Sequence, residues 1–190
     1  MIKIGILGDI GSGKSLIAKN FGYPVFNADK EVANIYRTNK KCFFELKKQF
    51  PKHVFSFPIR KQELINVILD NKRNLKKLNK IVHPIVRIKL KKFFKKNKKK
   101  KFVILDIPLL IENKIYNKDY ILIFIQAKRK EILKRLKLRK NYNYRIFKKL
   151  NSLQLNLEYK RKKSNYIIKN NFKKNTIKKS IKSVKNKILK

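Results

Sequence analysis

The run Gly8-Asp9-Ile10-Gly11-Ser12-Gly13-Lys14-Ser15 fills every fixed position of the pattern G-x-x-x-x-G-K-[ST]. Each residue type in it has a physical reason. Glycines let the backbone curl until successive N–H groups converge on one phosphate, through dihedrals that a side chain obstructs. A helix opening at Lys14 adds its partial positive end. The Lys14 ammonium can reach the β- and γ-phosphates, and the Ser15 hydroxyl can ligate magnesium. Gly8, Gly11, Ser12, Gly13, Lys14, Ser15 and the adjoining Leu16 form the expected nucleotide-binding set. Independent draws from this composition give about 0.001 such matches, which sets aside a chance glycine-rich turn. The motif fixes a nucleoside triphosphate site and leaves the phosphate acceptor open.

Phosphate transfer to a small acceptor needs an acidic group near the accepting hydroxyl, a basic lid over the phosphates and an acceptor pocket. Asp29 follows an expected strand, whose end borders the same crevice as the phosphate loop in a parallel sheet. It fits two roles: receiving or orienting the acceptor's proton, and capping the helix that follows. Arg135 and Arg139 lie four apart and share a helix face, suited either to closing over polyphosphate or to solvent. Asp106, at a strand end, resembles an acid on the magnesium side. A guanine site is disfavoured, because the strand from Tyr120 runs into Gln126-Ala127-Lys128 rather than Asn-Lys-x-Asp.

These groups need a sheet to hold them. Ile2 to Leu7, Phe102 to Ile107 and Tyr120 to Ile125 are nearly continuous apolar runs, the pattern of strands buried on both faces of a parallel sheet. A helix is predicted over 14–21, a short strand over 23–26, a basic helix over 128–139 and a second helical segment to about 163. A strand over 166–168 and a helix over 176–189 complete the chain. From Asp29 to about Lys100 the periodicity is helical: Leu64, Ile65, Ile68 and Leu69 share one face, as do Leu75, Leu78 and Val82. His83 reads as a residue at a helix start, with Pro84 at the first helical position. The whole is an α/β fold of the P-loop NTPase type, with a central parallel sheet and a helical excursion.

The 190 residues suit one domain. Lys+Arg number 53 against 11 Asp+Glu, a formal charge of +42. Such a field attracts polyanions. The basic residues are spread over many predicted helices without an Arg-rich block or RNP-type aromatics, so no dedicated nucleic-acid partner is expected. Cys42 is the single cysteine, which excludes an intramolecular disulfide and a cysteine-based zinc site. It reads as a small buried apolar residue. With no secretory signal and no apolar run near the ~20 residues of a spanning helix, a cytoplasmic protein without a membrane partner is expected.

Several segments together resemble bacterial dephospho-CoA kinases. They are residues 5–15, Asn27-Ala28-Asp29, Val82-His83-Pro84, Asp106-Ile107-Pro108-Leu109-Leu110-Ile111-Glu112, Leu133-Lys134-Arg135 with Arg139, Gln154 with Glu158, and 167–171. The resemblance implies a fold like that of the nucleoside monophosphate kinases, with ATP and dephospho-CoA as substrates and Mg2+ as cofactor. It implies one kinase domain with a core at about 1–30, 101–134 and 164–190, a helical substrate-binding excursion at about 31–100 and a lid at about 135–163. It gives Asp29 the acceptor-activating role, Arg139 a place near the nucleotide, and His83, Pro108, Leu109, Leu110 and Glu112 places on the substrate side. The sequence departs from the family at Asp9, Leu16, Asn27, Asn165 and Phe172, and lacks an arginine within Glu31-Val32-Ala33-Asn34.

Overall fold

A computed structural model describes residues 1–71, 73–113, 115–138 and 142–189. The chain forms two compact units. The first comprises Met1–Asn27, Asn97–Asn143 and Phe147–Lys190, and the second Ala28–Lys96 with Tyr144–Ile146.

The first unit is built on five parallel strands: β1 (Ile2–Gly8), β2 (Val25–Asn27), β3 (Phe102–Asp106), β4 (Tyr120–Gln126) and β5 (Tyr166–Lys169), in the order β2-β3-β1-β4-β5. β1 pairs with β3 through Ile4 and Ile104, and with β4 through Ile4 and Ile121. The isoleucine-rich runs suit these inner strands because a branched side chain packs well on a pleated surface covered on both sides. Helices α1 (Lys14–Asn20) and α9 (Lys174–Leu189) join one core cluster with them, Ile17 from α1, Phe21 just past its end, and Ile177, Ile181 and Val184 from α9 meeting Ile4, Ile6, Ile123 and Ile125. Each such side chain contributes about 1.5–3 kcal/mol by leaving water. Helix α6 (Arg129–Lys137) buries Ile132 and Leu136, one turn apart.

The single helical segment expected to follow the basic helix, to about 163, is two helices, α7 (Tyr144–Asn151) and α8 (Leu157–Lys162). The break has a local cause. The Asn156 side chain accepts from the backbone N–H groups of Glu158 and Tyr159 and so caps a new helix.

The second unit contains α2 (Ala28–Thr38), α3 (Lys40–Gln49), α4 (Lys61–Asp70) and α5 (Asn74–Lys96). α5 buries Asn74, Leu78, Val82, Val86 and Leu90, spaced by four along one stripe. Pro84 lies inside this helix rather than at its start, correcting the expectation for His83 and Pro84. Proline removes one backbone hydrogen bond there. The stripe continues through Val86 and Leu90, and that burial holds the helix past the interruption. α4 also differs from its apolar pattern: the buried residues are Glu63 and Val67, while Leu69 is exposed. Glu63 is tolerated because Phe55 N–H (3.0 Å), Ser56 N–H (3.3 Å) and the Ser56 hydroxyl all donate to its carboxylate. These bonds hold its pKa low, overcoming the opposing effect of burial. No helix among the described residues is long and apolar enough to cross a membrane.

Candidate active site

In a parallel sheet the C-terminal strand ends share one edge. That edge carries Gly8, Asn27, Asp106, Gln126 and Lys169, and the loop 9–13 leaves from it. Gly8, Gly11 and Gly13 all take positive φ. At Gly13 two requirements coincide: φ is 91°, and a Cβ would come within 2.3 Å of the Asn170 side-chain nitrogen. No other residue type meets both. The first turn of α1 has no side-chain cap, which leaves its N–H groups to an anion.

Lys14 Nζ donates to the carbonyls of Asp9 (2.7 Å) and Gly8 (3.1 Å), so the ammonium lies against the loop that would hold phosphate. Ser12 Oγ is buried and has no hydrogen-bond partner among the described residues. Ser15 and Leu16 are exposed at the start of α1. Asp9 accepts from Ile10 N–H at 2.6 Å and so occupies one loop donor.

Asn170 braces the loop from behind. It donates from Nδ2 to the Ser12 carbonyl (2.8 Å), accepts Phe172 N–H at Oδ1 (2.8 Å) and donates its own N–H to Gln126 (2.7 Å). Phe172 takes a left-handed φ of 62° and its ring lies 3.9 Å beneath the Arg135 guanidinium. Arg135 therefore stacks on an aromatic face. Arg139 lies outside the described residues.

Asp106 is buried at the end of β3 and accepts from the Asn27 side chain. Ser15 hydroxyl and Asp106 carboxylate are hard oxygen donors, a set that fits magnesium, which takes one or two protein oxygens and completes its shell with phosphates and water. Beyond Asp106 the chain turns through Pro108 (exposed), Leu109 (φ 56°) and Leu110. The Leu110 side chain is fully buried, and a Cβ on Gly5 would lie 2.6 Å from it, so glycine in mid-strand is what admits it.

Glu112 sits at the end of this turn. Its Oε1 lies 2.6 Å from Lys160 Nζ and accepts Leu155 N–H at 3.0 Å, and Lys160 also donates to Gln154 Oε1 at 2.9 Å. The other oxygen, Oε2, is buried without a partner among the described residues.

Two further expected residues belong to the helical unit. Asp29 is exposed as the second residue of α2, inside its first turn. A capping role would place it one residue before the helix, whereas a carboxylate in the first turn interacts favourably with the helix dipole. His83 is half-buried in α5, and burial together with Arg87 lowers its pKa. The imidazole is neutral at neutral pH.

Sequence reasoning did not assign Asn170 a bracing role, although the Asn-Asn pair at the end of a predicted strand was a signal. It read the run from Lys160 to Lys163 as a solvated helix end, whereas Lys160 is buried.

The family model for dephospho-CoA kinase matches residues 2–176. A dephospho-CoA kinase of Wolbachia pipientis wMel is 34% identical over 170 residues, 87% of each chain. Among solved structures, protein TT1252 from Thermus thermophilus is similar at a TM-score of 0.77 and 29% identity, covering 98% of this chain and 97% of that one. The Campylobacter jejuni dephospho-CoA kinase superposes at a TM-score of 0.61 and 25% identity, with 98% and 96% covered.

Proposed function

The chain belongs to the dephospho-CoA kinase family, and on that premise we propose how its own residues carry phosphate from ATP to the ribose 3′-hydroxyl of dephospho-CoA, giving coenzyme A and ADP. ATP lays its β- and γ-phosphates in loop 8–15, against the backbone N–H groups and the open first turn of α1. Lys14 exchanges the Gly8 and Asp9 carbonyls for phosphate oxygens, a charge-assisted contact roughly twice as strong as a neutral one. Ser15 and Asp106 would hold Mg2+, which neutralises charge on the transferring phosphoryl group.

Asp29 orients the 3′-hydroxyl and receives its proton. In a loose transition state orientation matters more than basicity, which an exposed carboxylate can supply. His83 in the helical unit and, in the sheet unit, the turn from Pro108 to Glu112 are each assigned to recognition of the acceptor, with Leu110 anchoring that turn from within the core. Arg139 serves the nucleotide from the lid segment. Lid closure keeps water from the γ-phosphate. The reaction belongs to the cytoplasm and calls for no nucleic acid.

The observation that carries this reading is an intact phosphate loop within a family match spanning nearly the whole chain. ADP release by purified protein with Mg2+ tests it, using dephospho-CoA, AMP, CMP and shikimate as alternative acceptors. Only dephospho-CoA should raise ADP above the hydrolysis background. Turnover with another acceptor and none with dephospho-CoA would overturn the assignment.

A further inference from the structure

We propose that Lys160 is a positioning residue for the acceptor: by pairing with Glu112 it ties the 107–113 turn to the segment 152–162 and fixes the acceptor side of the site. This rests on the acceptor assignment made above. The argument begins with burial. The two side chains are 4% and 10% exposed, their closest approach is 2.6 Å, and both belong to the sheet unit. Taking two charges out of water costs so much that their mutual attraction roughly offsets it. An apolar pair of similar size would hold the fold as well or better. Stability therefore does not account for an ion pair here, whereas directionality does.

Three groups from the 152–162 segment enter the network. Leu155 N–H and Lys160 Nζ both aim at Glu112 Oε1, and Gln154 Oε1 holds the same ammonium from the side. This geometry admits only one placement of α8 and the turn before it relative to Glu112. At the other end of the turn, Leu110 is locked against Gly5 in the core. Pro108 and Leu109, the part expected to face the acceptor, are thus held between a core anchor and an ionic latch. Glu112 Oε2 keeps hydrogen-bonding capacity, so the latch occupies only half of the carboxylate.

The test separates positioning from folding. Glu112→Leu/Lys160→Met replaces the ion pair by an apolar one and should keep the wild-type melting temperature. Its KM for dephospho-CoA should nevertheless rise about tenfold, with KM for ATP within about twofold of wild type. Glu112→Gln, nearly isosteric, should fold and shift the acceptor KM in the same direction by about threefold to fivefold. Lys160→Arg, which keeps the charge, should lie closer to wild type than Lys160→Met in acceptor KM. An unchanged acceptor KM in both the double variant and Glu112→Gln would overturn the proposal. So would equal rises in KM for ATP and acceptor, which would mark general loosening. Failure of the acceptor assignment itself would appear separately, as wild-type protein inactive on dephospho-CoA.

Discussion

In the helical unit, Glu63 is buried at 3% exposure and its carboxylate is met by Phe55 N–H, Ser56 N–H and the Ser56 hydroxyl. In the phosphate loop, Ser12 Oγ is equally buried and unmet among the described residues, the first turn of α1 has no cap, and Lys14 rests on loop carbonyls that a phosphate can replace. An unsatisfied buried polar group costs about 1–3 kcal/mol, which would be a defect in the helical unit. At the loop, under the function proposed above, it is capacity held for a ligand. The difference teaches how to tell a polar group that builds structure from one that serves chemistry: the first has its bonds made within the fold, the second keeps some to give.

Four substitutions test this contrast. Lys14→Ala should be the most damaging, lowering kcat by on the order of 10³ or more with little change in melting temperature, because the lysine's bonds are exchangeable. Steady-state ADP release and thermal melting check both halves. Asp29→Asn should reduce kcat by about 10²-fold while ATP affinity, read by calorimetry, stays put. An unchanged kcat would confine Asp29 to the helix dipole and leave α2 a scaffold.

Asn170→Ala sits between the two cases, since its bonds are structural but their object is the loop. It should raise KM for ATP about tenfold and cost about 1–3 kcal/mol of stability, separable by comparing KM with urea midpoints. Glu63→Gln should leave ATP affinity unchanged and cost about 1.5–3 kcal/mol at pH 7. The sign with pH follows from the lowered pKa: the Glu63 carboxylate contributes fully above its ordinary value of 4.5 and loses that contribution as pH falls through its folded value. The stability gap between wild type and Glu63→Gln should therefore narrow on acidification. A widening gap would mean that the hydrogen bonds favour the neutral acid.

The same contrast explains what the sequence made legible. The phosphate loop could be read because backbone geometry demands glycine at particular positions, and the inner strands because burial on both faces leaves an unbroken apolar run. Glu63 could not, since its partners are the backbone and side chain of a loop, with no period to betray them. Lys160 was hidden among 53 basic residues, distinguishable only once Glu112, 48 positions earlier, lay beside it. The continuity of α5 past Pro84 and the break between α7 and α8 were decided by a burial stripe and by one cap at Asn156, each stronger than the local propensity that suggested otherwise. Arg135 was weighed as a phosphate clamp, and its stacking on Phe172 depends on a left-handed residue that no pattern foretells.

Cys42 lies fully buried in α3, and burial, with Glu45 nearby, pushes its thiol up to about 11. Only a thiolate reacts quickly with alkylating and disulfide reagents, so this sulfur is shielded twice, by exclusion and by protonation. Labelling must wait for the helical unit to open. Because the chain has a single cysteine, the rate of modification is a clock for that opening alone, available without engineering a probe. Run with and without dephospho-CoA, it would show whether the proposed acceptor slows that opening.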